Sequence, residues 1–122
     1  MEFVCEIEKL LNAVEELEIQ GGWQDLSATE LDLRLGRDGL LEIHLPPTRD
    51  LPEKTVRVQV TGALVPGCAY RVFAGNLLER LHSAAALAKC FLIIKTYSRS
   101  LFVCDVAGQD IGRPVPIWGI QE

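Results

Sequence analysis

The chain is poor in the residues that mark a metal site, a disulfide scaffold or a nucleic-acid surface. Its four cysteines, Cys5, Cys68, Cys90 and Cys104, stand 63, 22 and 14 positions apart. No close pair frames a tetrahedral metal site or a redox motif, so four free structural thiols, no metal and no cofactor are expected. A Cys90–Cys104 disulfide would require neighbouring strands in a favourable register. No apolar run exceeds five residues, as in Cys90 to Ile94, far below the about 20 that span a bilayer. The start turns acidic at once, without the basic and apolar segments of a secretory signal. A cytoplasmic protein without membrane association is expected. Basic clusters are missing too. The net charge is −5, with 13 acidic and 6 basic side chains in residues 1–60 against 4 and 6 in residues 61–122. Affinity for nucleic acid comes from neutralising phosphates, and an acidic front half disfavours it.

What is present is an ordinary globular composition, 48% apolar and 24% charged in 122 residues. That length fits one domain, residues 1–122, which buries roughly two-thirds of its unfolded surface. Phe3, Ile7, Leu10, Leu11, Val14 and Leu17 recur at helical spacing and predict an amphipathic helix from Phe3 to Gln20, stopped by Gly21-Gly22. Glu2, Glu6, Glu8, Glu15, Glu16 and Glu18 fill much of the remaining surface. Glu15, Glu16 and Glu18 sit in the last turn, where the helix dipole opposes them by about 0.3–1 kcal/mol each when exposed. Charge retained against that penalty suggests a contact surface, and these three are the candidate partner-binding residues.

Trp23 to Leu26 reads as a loop, and Ser27-Ala28-Thr29-Glu30 matches a capping box that the strand pattern after it overrides. Leu31, Leu33 and Leu35 alternate with polar residues, as do Leu41, Ile43 and Leu45 beyond Gly36-Arg37-Asp38-Gly39. This is a hairpin, closed by Pro46-Pro47. After a loop from Thr48 to Glu53, Thr55 to Val60 forms a third strand. Past the Pro66-Gly67 turn, Ala69 to Phe73 forms a short fourth strand or leads into a helix. Asn76 with Glu79 suggests a capped helix running to about Lys89. Phe91 to Thr96 and Leu101 to Val106 are continuously apolar and read as central strands. Pro114 and Pro116 place the tail at an edge.

The expected class is therefore α+β: one mainly antiparallel sheet of five to six strands, an N-terminal amphipathic helix and a second helix between strands, in the order α-β-β-β-(β)-α-β-β-edge β. Leu33, Ile43, Val58, Leu81, Ile93 and Val103 are the expected core, and no internal repeat is visible. The element order is loosely similar to that of double-stranded-RNA-binding domains and of small acidic secretion chaperones. Acidity speaks against the first and the missing C-terminal helix against the second, so no family is assigned.

Asp105-Val106-Ala107-Gly108-Gln109-Asp110 resembles the Asp-x-x-Gly-Gln switch segment of small GTPases, but no Gly-Lys-Ser or Gly-Lys-Thr phosphate loop accompanies it. It is expected to be a turn. His44 lies on the polar phase of a strand and His82 on a helix next to Ser83, which points elsewhere. The carboxylate pairs Glu15–Glu18 and Asp32–Glu42, the latter expected on facing hairpin positions, could bind a cation or share a proton but read better as a solvated face, and Arg57, Arg71, Arg80 and Arg99 could converge on a carboxylate or phosphate only through the fold. The leading expectation is a protein-interaction module, adaptor or chaperone-like, that forms a homodimer and uses the acidic amphipathic helix together with an apolar helix or sheet face to meet a protein partner with a basic surface. The balance leans away from an enzyme. The alternative is a small-molecule-binding protein or minor enzyme whose pocket, lined by Trp23, Tyr70, Phe73, Tyr97 and Trp118, lies between sheet and helices.

Overall fold

The computed structural model describes residues 1–17, 29–47, 52–64, 67–87 and 90–120. Among them run β1 (Glu2–Glu6), α1 (Ile7–Glu16), β2 (Glu30–Leu35), β3 (Leu40–Leu45), β4 (Lys54–Gln59), β5 (Thr61–Leu64), β6 (Ala69–Phe73), α2 (Ala74–Ala86), β7 (Phe91–Tyr97), β8 (Ser100–Cys104) and β9 (Val115–Gly119). The nine described strands form one sheet in the order β4-β3-β2-β6-β9-β8-β7-β1-β5, with every neighbouring pair antiparallel. The α+β class stands, but the sheet holds nine described strands rather than five to six: residues 2–6 join it as β1 instead of opening the helix, Thr61–Leu64 adds β5, and Ala69–Phe73 is a strand.

The hairpin forms as its alternation requires. Leu33 lies opposite Ile43 and Leu35 opposite Leu41, while Gly39, at φ 79°, makes the turn that a side chain would strain. Beyond β3, only Val60 separates β4 from β5, which hold opposite ends of the strand order. The sheet is therefore curled until its edges meet, leaving little open edge to aggregate. No described helix is long and apolar enough to cross a membrane.

Three expectations are corrected. The opening helix begins at Ile7, because Phe3 and Cys5 are buried alternately with Val4 as strand residues. Phe3 and Ile7 satisfy the helical spacing by coincidence; hydrogen bonding to β5 and β7 decides the strand. The second helix starts at Ala74, two residues before the expected cap Asn76, with no side-chain cap. The tail is interior: β9 bonds β8 through Val115 and Pro116 and β6 through Ile117 to Gly119. Pro116 falls beyond the last β6 pair, Val72 with Ile117, so its missing N–H leaves no ladder bond unmade. Glu18 to Gln20, Gly21-Gly22, the Trp23 loop, Ser27-Ala28, Thr48 to Leu51, Pro66 and Ala88-Lys89 lie outside the described residues.

The strand pairing also holds a repeat. The order β-α-β-β-β occurs twice, first as β1, α1, β2, β3 and the β4–β5 stretch, then as β6, α2, β7, β8 and β9. Each opening strand abuts its helix directly and pairs with the other half's second strand, β1 with β7 and β6 with β2. The register repeats too, apart from a shift in the β1–β5 pairing between Glu2 and Val4. Glu2 faces Lys95 as Ala69 faces Arg34; Leu41 faces Val58 as Leu101 faces Val115; Thr61 faces Val4 as Trp118 faces Arg71. The Val60 N–H donates to Gly39 O at 2.9 Å and the Ile117 N–H to Arg99 O at 3.0 Å. Even the helix starts match, since the Ile7 N–H donates to Cys90 O at 3.1 Å and the Ala74 N–H to Thr29 O at 2.8 Å. These ladder bonds replace side-chain caps, satisfying donors that a helix start leaves open.

One apolar cluster fills the inner face, with Leu10, Val14, Leu77 and Leu81 of the helices meeting Leu33, Ile43, Val58 and Val103 of the sheet. Ile93 is only half-buried and points outward, while its neighbours Leu92 and Ile94 are core. In the unbroken run Phe91 to Ile94 no polar residue marks the phase, so the expected burial of Ile93 is out by one position.

Candidate functional site

At the end of α1, Glu15 and Glu16 are exposed and no basic residue lies in the last turn. The apolar stripe of the same helix, Ile7, Leu10, Leu11, Val14 and Leu17, is buried. Glu16 borders a 260 Å³ groove between α1 and β4 that also presents Lys9, Asn12, Arg57 and Gln59. Glu18 lies outside the described residues.

The candidate pocket aromatics are dispersed. Tyr70 packs partly buried against the core, Phe73 and Trp118 form a tilted ring pair 5.1 Å apart, and Tyr97 is 77% exposed at the end of β7. Trp23 lies outside the described residues.

The outer sheet face divides into two chemistries. Across β4, β3, β2, β6 and β9 runs the row Thr55, His44, Asp32, Arg71 and Trp118. Arg71 grips Asp32 with two bonds, Nε to Oδ1 at 2.7 Å and Nη2 to Oδ2 at 3.3 Å, and its Nη1 lies 3.6 Å from Glu30 Oε2. The hydrogen bond to Asp32 holds the Arg71 guanidinium above its ordinary pKa, with the charges of Asp32 and Glu30 acting in the same direction. His44 bridges two carboxylates, Nε2 to Glu53 Oε2 at 2.8 Å and Nδ1 to Asp32 Oδ2 at 3.5 Å. Asp32 and Glu42 are not opposite each other; each faces a basic side chain, His44 and Arg34. A 310 Å³ hollow lies over this cluster. Both imidazole nitrogens are engaged by carboxylates, so the arrangement orders strands and a loop and leaves neither nitrogen turned to a serine or cysteine nucleophile.

At the equivalent positions in the other half the row reads Cys104, Ile93 and Val4 in place of His44, Asp32 and Arg71. One register step away, Phe102, Lys95 and Glu2 stand where the charged half has Glu42, Arg34 and Ala69. Beside them opens a 490 Å³ hollow lined by Met1, Glu2, Lys95, Tyr97, Phe102 and Asp110 among others. Phe91 is 48% exposed at the start of β7 and Val106 69% exposed in the turn after β8. Lys95, Phe102 and Ile93 were missed from sequence because residues 91–94 read as two-sided core; the polar Lys95 was the available signal for the outward phase.

The four cysteines are free. Burial pushes the Cys5 thiol up to about 12; burial, followed by a hydrogen bond to Asp110 at 3.2 Å, pushes Cys104 to about 11. The segment after Cys104 is a turn closed on itself: Asp105 Oδ1 accepts from the Ala107 and Gln109 N–H groups at 3.0 and 2.9 Å. His82 is exposed on α2, and the Ser83 hydroxyl donates to Glu79 O. The four arginines do not converge: Arg71 grips Asp32, Arg57 reaches Glu42 at 3.4 Å, Arg80 lies over Gly112, and Arg99 occupies the β7–β8 turn. Among the described residues no group of three or more His, Cys, Asp or Glu is placed to hold a metal. No protein-family model matches the chain, and no curated protein matches it significantly.

Proposed function

We propose that the chain is a small cytoplasmic protein-interaction module, adaptor or chaperone-like, which forms a homodimer and recognises a basic protein surface with the acidic end of α1. The observation that carries this reading is the division of α1. Its apolar stripe is consumed by the core while Glu15 and Glu16 stand exposed, uncompensated by a basic residue in the last turn. Apolar docking through that helix is closed, so charge is what it offers a partner, and a basic partner relieves the repulsion at the dipole's negative end. Glu18 belongs to the same proposal from its sequence position.

Replacing Glu15, Glu16 and Glu18 together by Gln tests it. The fold should be kept, partner capture from a source-cell lysate should fall, and the captured protein's affinity should lose most of its salt dependence. Unchanged affinity at low ionic strength, with the fold verified, overturns the proposal.

The second reading, small-molecule binding, is favoured by the 490 Å³ hollow beside Tyr97 and Phe102. A thermal-shift screen of small aromatic and amphipathic compounds would support it through a hit abolished by Phe102→Ala. Hits indifferent to that change would overturn it for this hollow.

A further inference from the structure

We infer that the open edge of β4, beside α1, takes up an extended basic segment of a partner protein as an added strand. The inference rests on the basic-partner reading above and deepens it by naming the partner's conformation and the edge it joins.

Strand β4 ends the sheet order and pairs only with β3. The Val60 N–H donates to Gly39 O, so by the alternation of an antiparallel ladder Lys54, Val56 and Val58 bond β3. Thr55 and Arg57 then turn their backbone N–H and C=O groups away from it, and among the described residues no hydrogen bond meets them. Beside them lies the 260 Å³ groove toward α1. An unpaired edge next to a groove is where extended peptides add a strand, main-chain bonds giving affinity and side chains giving choice.

The internal repeat supplies a control within the molecule. Pro116 stands opposite Ser100 as Gln59 stands opposite Leu40, and Pro114 directly precedes Val115 as Arg57 directly precedes Val58. Proline has no N–H to offer, and sheets use it to close an edge. The helix closes the same place a second time. Arg80 is the seventh residue of α2 and its guanidinium lies over Gly112, in the approach to β9. The seventh residue of α1 is Ala13, which lines the open groove. One half is thus shut by two prolines and an arginine, while the other carries backbone N–H groups and an alanine in their places.

The charge of the occupant follows from the groove's own ion pairs. Lys9 lies 3.7 Å from Glu6 and Arg57 3.4 Å from Glu42, whereas Glu16 has no ion pair among the described residues. The unmatched carboxylate on the groove wall calls for a cation. An arginine of the added strand, entering over Ala13, puts into this half the guanidinium that Arg80 supplies in the other, with Glu16 to receive it.

The probe is a hexapeptide of alternating arginine and valine, blocked at both ends, titrated into the full chain by fluorescence anisotropy and by amide NMR. Wild type should bind it, with the largest shifts at the Thr55 and Arg57 amides. Arg57→Pro, which copies Pro114, should weaken binding about tenfold or more, while Arg57→Gln, which keeps the N–H, should bind as wild type does or more tightly. Ala13→Arg, which refills the groove as Arg80 does, should weaken it about tenfold or more, and so should N-methylation of every peptide nitrogen, which keeps the charge but removes the main-chain bonds. Equal binding by a folded Arg57→Pro chain, or equal binding of the N-methylated peptide, overturns the inference. If such binding is still lost when Glu15, Glu16 and Glu18 are replaced by Gln, the acidic-helix reading stands without strand addition. No binding to wild type at millimolar protein also overturns the inference, and the lysate capture described above judges the basic-partner reading independently. Should Arg57→Pro fail to fold, the N-methylated peptide on the wild-type chain decides.

Discussion

At the scale of single residues, Ile93 and Ile94 differ by one position and by the side of the sheet they serve. Ile94 is 2% exposed, whereas Ile93 is half-buried and outward. Ile94→Ala should therefore cost about 2–5 kcal/mol, as buried large-to-small changes do. Ile93→Ala should cost under about 1 kcal/mol, because little cavity is left on an outer face. Urea denaturation of the two variants in the same buffer checks the contrast, and equal losses would contradict the assigned phase. The thiols separate in the same way. At pH 8 a thiol reagent should label the exposed Cys90 quickly and Cys68 more slowly, leaving Cys5 and Cys104 silent until denaturation reveals all four. Burial holds Cys5 protonated up to about 12 against an ordinary value of 9.0. The unfolded chain releases that proton first, so the stability from the buried neutral thiol is whole below pH 9 and is lost as pH rises toward 12. Cys5→Val should flatten the alkaline fall in melting temperature.

At the scale of elements, the two helix starts are the points where local preference yields to the sheet. Asn76 and Glu79 form a plausible cap pair, yet α2 starts earlier because the Ala74 N–H completes a bond to Thr29 O at 2.8 Å. Proline is ordinarily welcome at the first helical position, where the N–H has no partner. Here Ala74→Pro removes a bond that is made, and the orphaned carbonyl of Thr29 should make the change destabilising by about 1–3 kcal/mol. The backbone of Phe73, at φ −76° and ψ 129°, already suits a following proline, so steric strain does not confuse the outcome. Chemical denaturation that found the variant as stable as wild type would show that the ladder bond does not define the helix start. The β2–β3 hairpin shows the opposite case, since strict alternation and a turn centred on Gly39 made it legible before any partner was known.

At the scale of the whole molecule, each half is completed by the first strand of the other, β1 lying on β7 and β6 on β2. Neither half can open without stripping a strand from its counterpart. The chain should therefore unfold as one cooperative unit. Amide hydrogen exchange should report the same opening free energy for the β2–β6 ladder, at Leu31 and Leu33, as for the β1–β7 ladder, at Leu92 and Ile94. A ladder that exchanged through a separate, cheaper opening would show the halves to be independent.

The sequence by itself determined the α+β class, the hairpin around Gly39, the existence of α2 and the buried phase of Leu33, Ile43, Val58 and Leu81, because polar residues at fixed intervals mark each of these locally. It also marked Glu15 and Glu16 as surface charge. Only the tertiary structure decided that residues 2–6 are strand, that β9 lies inside the sheet and that Ile93 faces outward. Each of those outcomes is set by a hydrogen-bonding partner far away in sequence, and apolar runs carry no local mark of phase. The repeat was hidden for the same reason. Register is conserved between the halves by backbone bonds, which no side chain records, while the outer faces hold Arg71, Asp32 and His44 in one half and Val4, Ile93 and Cys104 in the other.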